Sequence, residues 1–388
     1  MSLNSLAKNG HPRHMMLASS TLQYILGGVA TATKITVKDI QPVKEFLLRY
    51  QGTSKPLSEW NALHDSNFAQ LDNNSRHLAN LTLAVGFLHK KSKEAQTTSA
   101  DELDLVWSLI YHALQSNLIS QAYQAANRSA QGFLAVPLCS IVNNGNIELL
   151  FRFHVWLPDG QRGAPGFGIH SHQPFAQSWI LVGKSTNHTY SVHSVNLQEQ
   201  ATHAKYALSW SSGRAVDTTY KTHQTYSKVV NTKSYVVAKH ECSAVHSRNA
   251  SYIVPSAEFH SSEVAPDSLH ATLFVFDSSK GFLKDAPVLG PKDVESDTQY
   301  RNNCNISPTV LACMVESVRQ WEVCMARGRE CGQRGERIEA IEAFSQAQRM
   351  CETPVIAWDM MAYKKSAADE LMMLRSLQDS EDRLSKEV

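Results

Sequence analysis

The sequence predicts an α+β protein in which a β-barrel sits between helical regions at the two ends of the chain. Three observations carry this reading. Apolar residues recur at helical spacing through the first third, short segments rich in β-branched and aromatic residues fill positions 134 to 276, and helical spacing returns after residue 307. The expected regions are 1–134 (helical), 135–290 (barrel) and 291–388 (helical).

In the first region, "DIQPVKEFLLRY" (39–50) has helical spacing, with Asp39 placed to cap it. "TSADELDLVWSLIYHALQSNLISQAYQAAN" (98–127) has the clearest periodicity, with Leu103, Val106, Trp107, Ile110 and Leu114 at threes and fours. Ser99 can cap this helix, and acids crowd its first turn. In the middle region, "FLAVPLCSIV", "IELLFRFHVWLP", "SWILVG", "SYVVAKH" and "HATLFVFD" are strand-like runs separated by Gly, Pro, Asn and Ser, as in a barrel or sandwich. The last region opens with "SPTVLACMVESVRQWEVCMARG" (307–328). Its Met-rich stretch 358–377 is expected to pack as core rather than to bind a partner, and its final residues to fray.

Bulk numbers exclude several classes. The 388 residues are enough for a sizeable core, and 43% hydrophobic with 19% charged content is ordinary for a globular chain. A net charge of +1 without long lysine runs gives no field for nucleic acid, and no apolar run is long enough to span a membrane. Residues 15–33 have the flavour of a weak targeting peptide, but serines, Thr21 and Gln23 interrupt it. Seven cysteines without a CxxC pair suit a reducing, cytoplasmic setting, with Cys324 and Cys331 as small apolar core residues. Asn80 and Asn187 head N-x-S/T triplets of the kind that a Ser/Thr/Asn-rich chain produces by chance.

Chemistry concentrates in the histidines, 11 of whose 17 lie between residues 154 and 270. If 168–172 is a strand, His170 and His172 project from the same face, because side chains alternate. "YIVPSAEFH" (252–260) offers a third ligand, His260, behind an apolar strand and a proline turn. Three neutral imidazoles would hold a divalent metal and leave coordination positions open. The alternative is a set of hydrogen-bonded histidines that bind nothing.

These stretches resemble the paired motifs of the cupin superfamily, whose fold is a double-stranded β-helix (jelly-roll barrel). The first motif reads His170-Ser-His172-Gln-Pro-Phe-Ala-Gln177 and continues to Gly183, with Gln177 where the family's glutamate usually stands. The second reads Pro255-Ser-Ala257-Glu-Phe-His260, with Ala257 in place of glycine. Lacking the glutamate, the pattern is most similar to the cysteine dioxygenase-like, three-histidine non-haem iron dioxygenases. "HVWLPDGQRGAPGFGIHSH" and "SLHATLFVF" resemble that group's first metal strand and its Ser-x-His-x-Tyr relay, which assigns Ser268 and His270. Thr272 takes the place of the relay's tyrosine, and no cysteine lies in 173–183 for a Cys–Tyr cross-link. The separation of His172 from His260 is longer than usual. The added segment, residues 193–230, is expected to cover or reshape the barrel mouth.

The resemblance implies an Fe(II) oxygenase in which O₂ and a small-molecule substrate, a small thiol or a larger metabolite, meet at an iron held by His170, His172 and His260. His270, Tyr252 and Gln177 are the candidate catalytic surroundings, Gln177 as a hydrogen bonder rather than a ligand. Arg152, Arg162 and Trp179 are the candidate substrate contacts. Either arginine could clamp a carboxylate with its planar fork, and Arg152 could equally be a strand-edge arginine in water. His270 could move a proton or be a packed core histidine. Zinc, nickel or manganese at the same histidines would give a non-redox lyase, isomerase or hydrolase, and a non-catalytic ligand-binding cupin is the third reading. The resemblance allows a homodimer joined through barrel faces; nucleic acid and membrane are not expected partners.

Overall fold

The computed structural model describes residues 15–68, 73–116, 126–164, 166–209, 220, 222, 226–300, 302–352 and 360–384. Helical spacing in the first third is realised as α1 (Ser19–Thr33), α2 (Val37–Arg49), α3 (Leu57–Phe68), α4 (Asn73–Lys93) and α5 (Ala100–Leu114). Residues 15–33, which have the flavour of a targeting peptide, instead form β1 (Met16–Ala18) and α1, whose Leu22, Ile25, Leu26 and Val29 are buried in the main core.

Two helix starts show how local sequence sets boundaries. The cap of α2 is Thr36, not Asp39: the Thr36 side chain accepts from the Asp39 backbone N–H, and the Asp39 carboxylate accepts from the Thr36 N–H. Asp39 therefore occupies the third helical position of a reciprocal capping box. Ser99 caps α5 as expected, with Glu102 completing the same box. α5 stops at Leu114, short of the expected end, and residues 117–125 lie outside the described residues.

The β region makes two large antiparallel sheets, one of them strongly curled into a half-barrel. Its strands are β3 (Asn127–Arg128), β4 (Leu134–Asn143), β5 (Asn146–Trp156), β6 (Pro174–Val182), β7 (Lys184–Val195), β8 (His203–Ser209), β9 (Tyr226–Ser247), β10 (Ser251–Val254), β11 (Phe259–Glu263), β12 (His270–Phe282), β13 (Val288–Gly290), β14 (Ser296–Tyr300) and β15 (Asn302–Asn303). β2 (Ser54–Pro56) pairs only with β1. The first large sheet runs β10-β6-β12-β5-β4-β3-β15 and the second β11-β7-β9-β8-β13, with β14 added on β9. Parts of the 193–230 segment form the end of β7, all of β8 and the start of β9. Within it, residues 210–219, 221 and 223–225 lie outside the described residues.

The first sheet has two faces with different work, as strand alternation requires. Phe151, Phe153, Trp179, Leu181, Leu273 and Val275 point outward and join one core with α1, α4, α5 and α6 (Pro308–Gln333). Trp107 of α5 packs on Phe153 with ring centroids 5.3 Å apart. Each such large side chain contributes about 1.5–3 kcal/mol by leaving water. The other face, carrying Arg152, His154, Trp156, Ser178, Thr272 and Phe274, looks into a cavity of about 900 Å³.

At the corner between β6 and β7, Gly183 has φ +76° and a Cβ there would meet the Leu269 carbonyl oxygen at 2.3 Å, so only glycine fits. Its N–H donates to Glu322 Oε1 of α6 at 2.8 Å. Beyond α6, α7 (Arg337–Glu352) and α8 (Met361–Leu384) form a second small core that includes Cys324, Cys331, Phe344 and Leu371. The Met-rich stretch meets the expectation of core packing in part, and Met360 is buried in the main core. Leu371 and Leu374 face the second, small core, whereas Met361, Met372 and Met373 are exposed, because two adjacent positions of a helix cannot both share the narrow face set by Ala367, Leu371 and Leu374. Among the described residues, no helix is long and apolar enough to cross a membrane.

Candidate metal centre

His170, His172 and His260 come together as the one group among the described residues whose donor atoms could share a metal ion, all within 4.8 Å of one another. The chain around His170 and His172 is extended but is not the strand that the sequence suggests. It is a connecting segment pinned at single points. His170 makes isolated antiparallel bridges to His260 on β11 and to Val288 on β13, which draws the two edges of the second sheet onto one residue. His170 and His260 exchange both backbone hydrogen bonds, each 2.9 Å. Ser171 donates from both its N–H and its Oγ to the Pro287 carbonyl, at 3.2 and 3.0 Å. The extended backbone still places His170 and His172 together, and their ring centroids are 4.8 Å apart.

The ring nitrogens are sorted by their neighbours. His170 Nδ1 faces the Gly168 carbonyl at 2.9 Å, and His260 Nδ1 faces Asn187 Oδ1 at 2.9 Å. Both contacts need Nδ1–H as the donor, which makes Nε2 of both rings the unprotonated nitrogen that can bind an ion. His172 Nε2 lies 2.9 Å from His260 Nε2. Two imidazoles at right angles on an ion about 2.1 Å away would have nitrogens about 3.0 Å apart, so this pair is already at ligand spacing. Burial lowers the pKa of His170, and burial together with the neighbouring histidines pushes His172 well below the usual range. His260 is pushed well down by burial and by His170. Three neutral imidazoles are the form a metal requires.

Asn187, on β7, was not singled out as a site residue by sequence. It heads a sequon, yet it is buried and committed to His260. Only the pairing of β11 with β7, which sets His260 beside Thr189, brings it there. Asn187→Leu is expected to leave the fold intact and weaken metal affinity about 10–100-fold by releasing the ring; competition against a chelating dye measures it.

Ala257, in the segment that resembles a cupin motif, has φ +62°, and its N–H donates to the His172 carbonyl at 2.8 Å. A side chain in the left-handed region costs roughly 1–2 kcal/mol, partly offset by glycine's greater chain entropy. Ala257→Gly is expected to raise stability by about 0.5–1 kcal/mol in urea unfolding.

Arg152, Arg162 and Tyr252 line the cavity with the histidines, but they differ in what they can do. Arg152 sits beside Phe274 across the β5–β12 pair, and its guanidinium donates to the Tyr220 hydroxyl at 2.6 Å. It has no carboxylate partner among the described residues. Arg162 spends its donors on the carbonyls of Leu157, Val264, Ala265 and Ser268, so it staples a loop. Tyr252 stacks on His246, with centroids 4.5 Å apart and rings 16° from parallel.

Gln177, Trp179 and His270 lie away from the lining. Gln177 pairs with Val275 on the helix-facing side of the sheet. Trp179 shares that side and donates to Thr98 Oγ1 at 3.1 Å. His270 is buried against Trp156 and bonded to the Val182 backbone, and burial pushes its pKa down to about 3, so it is a neutral packed histidine. Tyr220 and Asn187 are the added members of the site; both reach it through strand pairing or the 193–230 segment, which no local spacing announces.

The chain thus has a strongly curled antiparallel half-barrel holding a buried three-histidine cluster, compatible with a cupin-like fold. No protein-family model matches the sequence, and no curated protein matches it.

Proposed function

We propose that the protein is a cupin-type metalloenzyme that oxygenates a small-molecule substrate at the ion held by His170, His172 and His260. The carrying observation is the donor set: three imidazoles, grouped with no carboxylate among the described residues, converge at the wall of a cavity of about 900 Å³. A curled antiparallel half-barrel, with both edge strands of the second sheet bridged to His170, supports the double-stranded β-helix. Iron(II), when bound, would supply the activation of O₂, and a three-nitrogen set leaves room on it for both reactants. The chain's own groups do the rest. Gly168 and Asn187 hold two rings in the ligating tautomer, Arg152 offers donors to an anionic group, and the phenyl rings of Phe274 and Phe276 pack beside His172.

The same donor set also suits zinc in a non-redox enzyme, since zinc sites with three histidines and an open position are well suited to Lewis-acid work. Oxygen separates the two readings. With substrate present, the oxygenase consumes about one O₂ per turnover at an oxygen electrode and stops under argon; turnover unchanged under argon would overturn it in favour of the Lewis-acid reading.

A further inference from the structure

The walls of the cavity say more about its ligand than the metal ligands do. Among the described residues, its charged lining comprises Lys34, Arg152, Arg162 and Lys284 against the single acid Asp285, a field that favours anions. Arg162 is consumed by carbonyls, and Lys34, Lys284 and Asp285 are exposed at the surface, which leaves Arg152 as the cation within. Its guanidinium is set in place by donating to the Tyr220 hydroxyl at 2.6 Å. Directly across the sheet from Arg152 stands Phe274, next to Phe276 in an edge-to-face pair with centroids 4.7 Å apart. Phe276 also meets the edge of His172, at 4.9 Å. Thr272, two residues before Phe274 along the same strand, also lines this space. About 900 Å³ belongs to the class of pockets that enclose drug-sized ligands, far more than an amino-acid-sized thiol fills.

We infer that the cavity takes a monocarboxylate with a planar aromatic body, its carboxylate on Arg152 and its ring against Phe274 and Phe276, beside the three histidines. This rests on the metal reading only for which end of the molecule reacts. The carboxylate matches the guanidinium fork, which distinguishes a charged acid from its amide. The aromatic wall distinguishes a flat ring from a saturated one, since ring pairs gain beyond the area they bury.

Titration calorimetry on the full chain, chelator-treated and metal-loaded, tests this with 3-phenylpropionate, 3-phenylpropionamide and 3-cyclohexylpropionate. The expected result is saturable binding of 3-phenylpropionate, with the amide at least about tenfold weaker and the cyclohexyl acid weaker by roughly two- to tenfold. Arg152→Gln should bind acid and amide alike, and Phe274→Leu should bind the two acids alike. Equal binding of acid and amide by the unaltered protein, or of the two acids, would overturn the inference. So would an unchanged acid preference in Arg152→Gln. The metal reading fails separately: a chain that takes up no ion yet keeps both preferences retains the carboxylate site, whereas one that binds an ion at the histidines but shows neither preference loses only the ligand assignment.

Discussion

Protein purified without added metal is expected to carry close to one transition-metal ion per chain by elemental analysis, and His260→Ala to lose it. His260 stands at the crossing of the site: its backbone is paired with His170, its Nδ1 is held by Asn187, and its Nε2 is already at ligand distance from His172 Nε2. Removing it leaves two ligands and a water-accessible gap, and the affinity should fall by more than about a hundredfold, beyond the effect of losing an outer hydrogen bond. The backbone bonds that fix this segment do not involve the ring, so circular dichroism should be unchanged. Full metal retention by the variant would remove His260 from the ligand set and with it the proposed enzyme.

The second large effect is on stability in acid. Burial lowers the pKa of His170, and pushes His172 and His260 well down, His64 to about 4 and His270 to about 3. A folded chain with depressed histidines binds fewer protons than the unfolded chain once the pH is below the ordinary value near 6.5. Stability is therefore full above that value and is lost as the pH falls below it. Each such histidine should cost about 1.4 kcal/mol per pH unit over this range, so the melting temperature of chelator-treated protein should drop steeply from pH 7 to pH 5. In His64→Leu, whose site lies in the N-terminal helical core away from the triad, the slope should be shallower by one proton. A melting temperature flat across this range would show that these rings are not held neutral by the fold.

What the sequence made legible follows from how local each signal is. The three metal-site histidines could be found because an HxH pair in extended backbone fixes its own geometry, and because the proline turn before His260 marks a second pinned point. The order of helical, β and helical regions was legible for the same reason: helical and strand periodicities are properties of short windows. Which face of β6 meets the cavity was not. Every residue from Pro174 to Val182 is buried, so the strand lacks the polar–apolar alternation that would separate Ser178, on the cavity side, from Gln177 and Trp179, on the helix side. The true cap of α2 was in the sequence as Thr36-x-x-Asp39, a reciprocal pattern that outranks a lone aspartate. Asn187 and Tyr220 depend on pairing between strands and on a long connection, and no window of sequence contains both partners.

The outward side of the curled sheet is completed by helices from opposite ends of the chain: α1, α4 and α5 from the start, and Leu311, Met314, Val315 and Val318 of α6 from the last third. Chains emerge from the ribosome amino end first, at about 5–20 residues per second. For several seconds the nascent sheet must therefore wait with greasy flank unroofed, and the corner at Gly183 without its Glu322 acceptor. A polypeptide stalled before α6 emerges would be a client for chaperones, and the ion could be captured only after His260 has emerged.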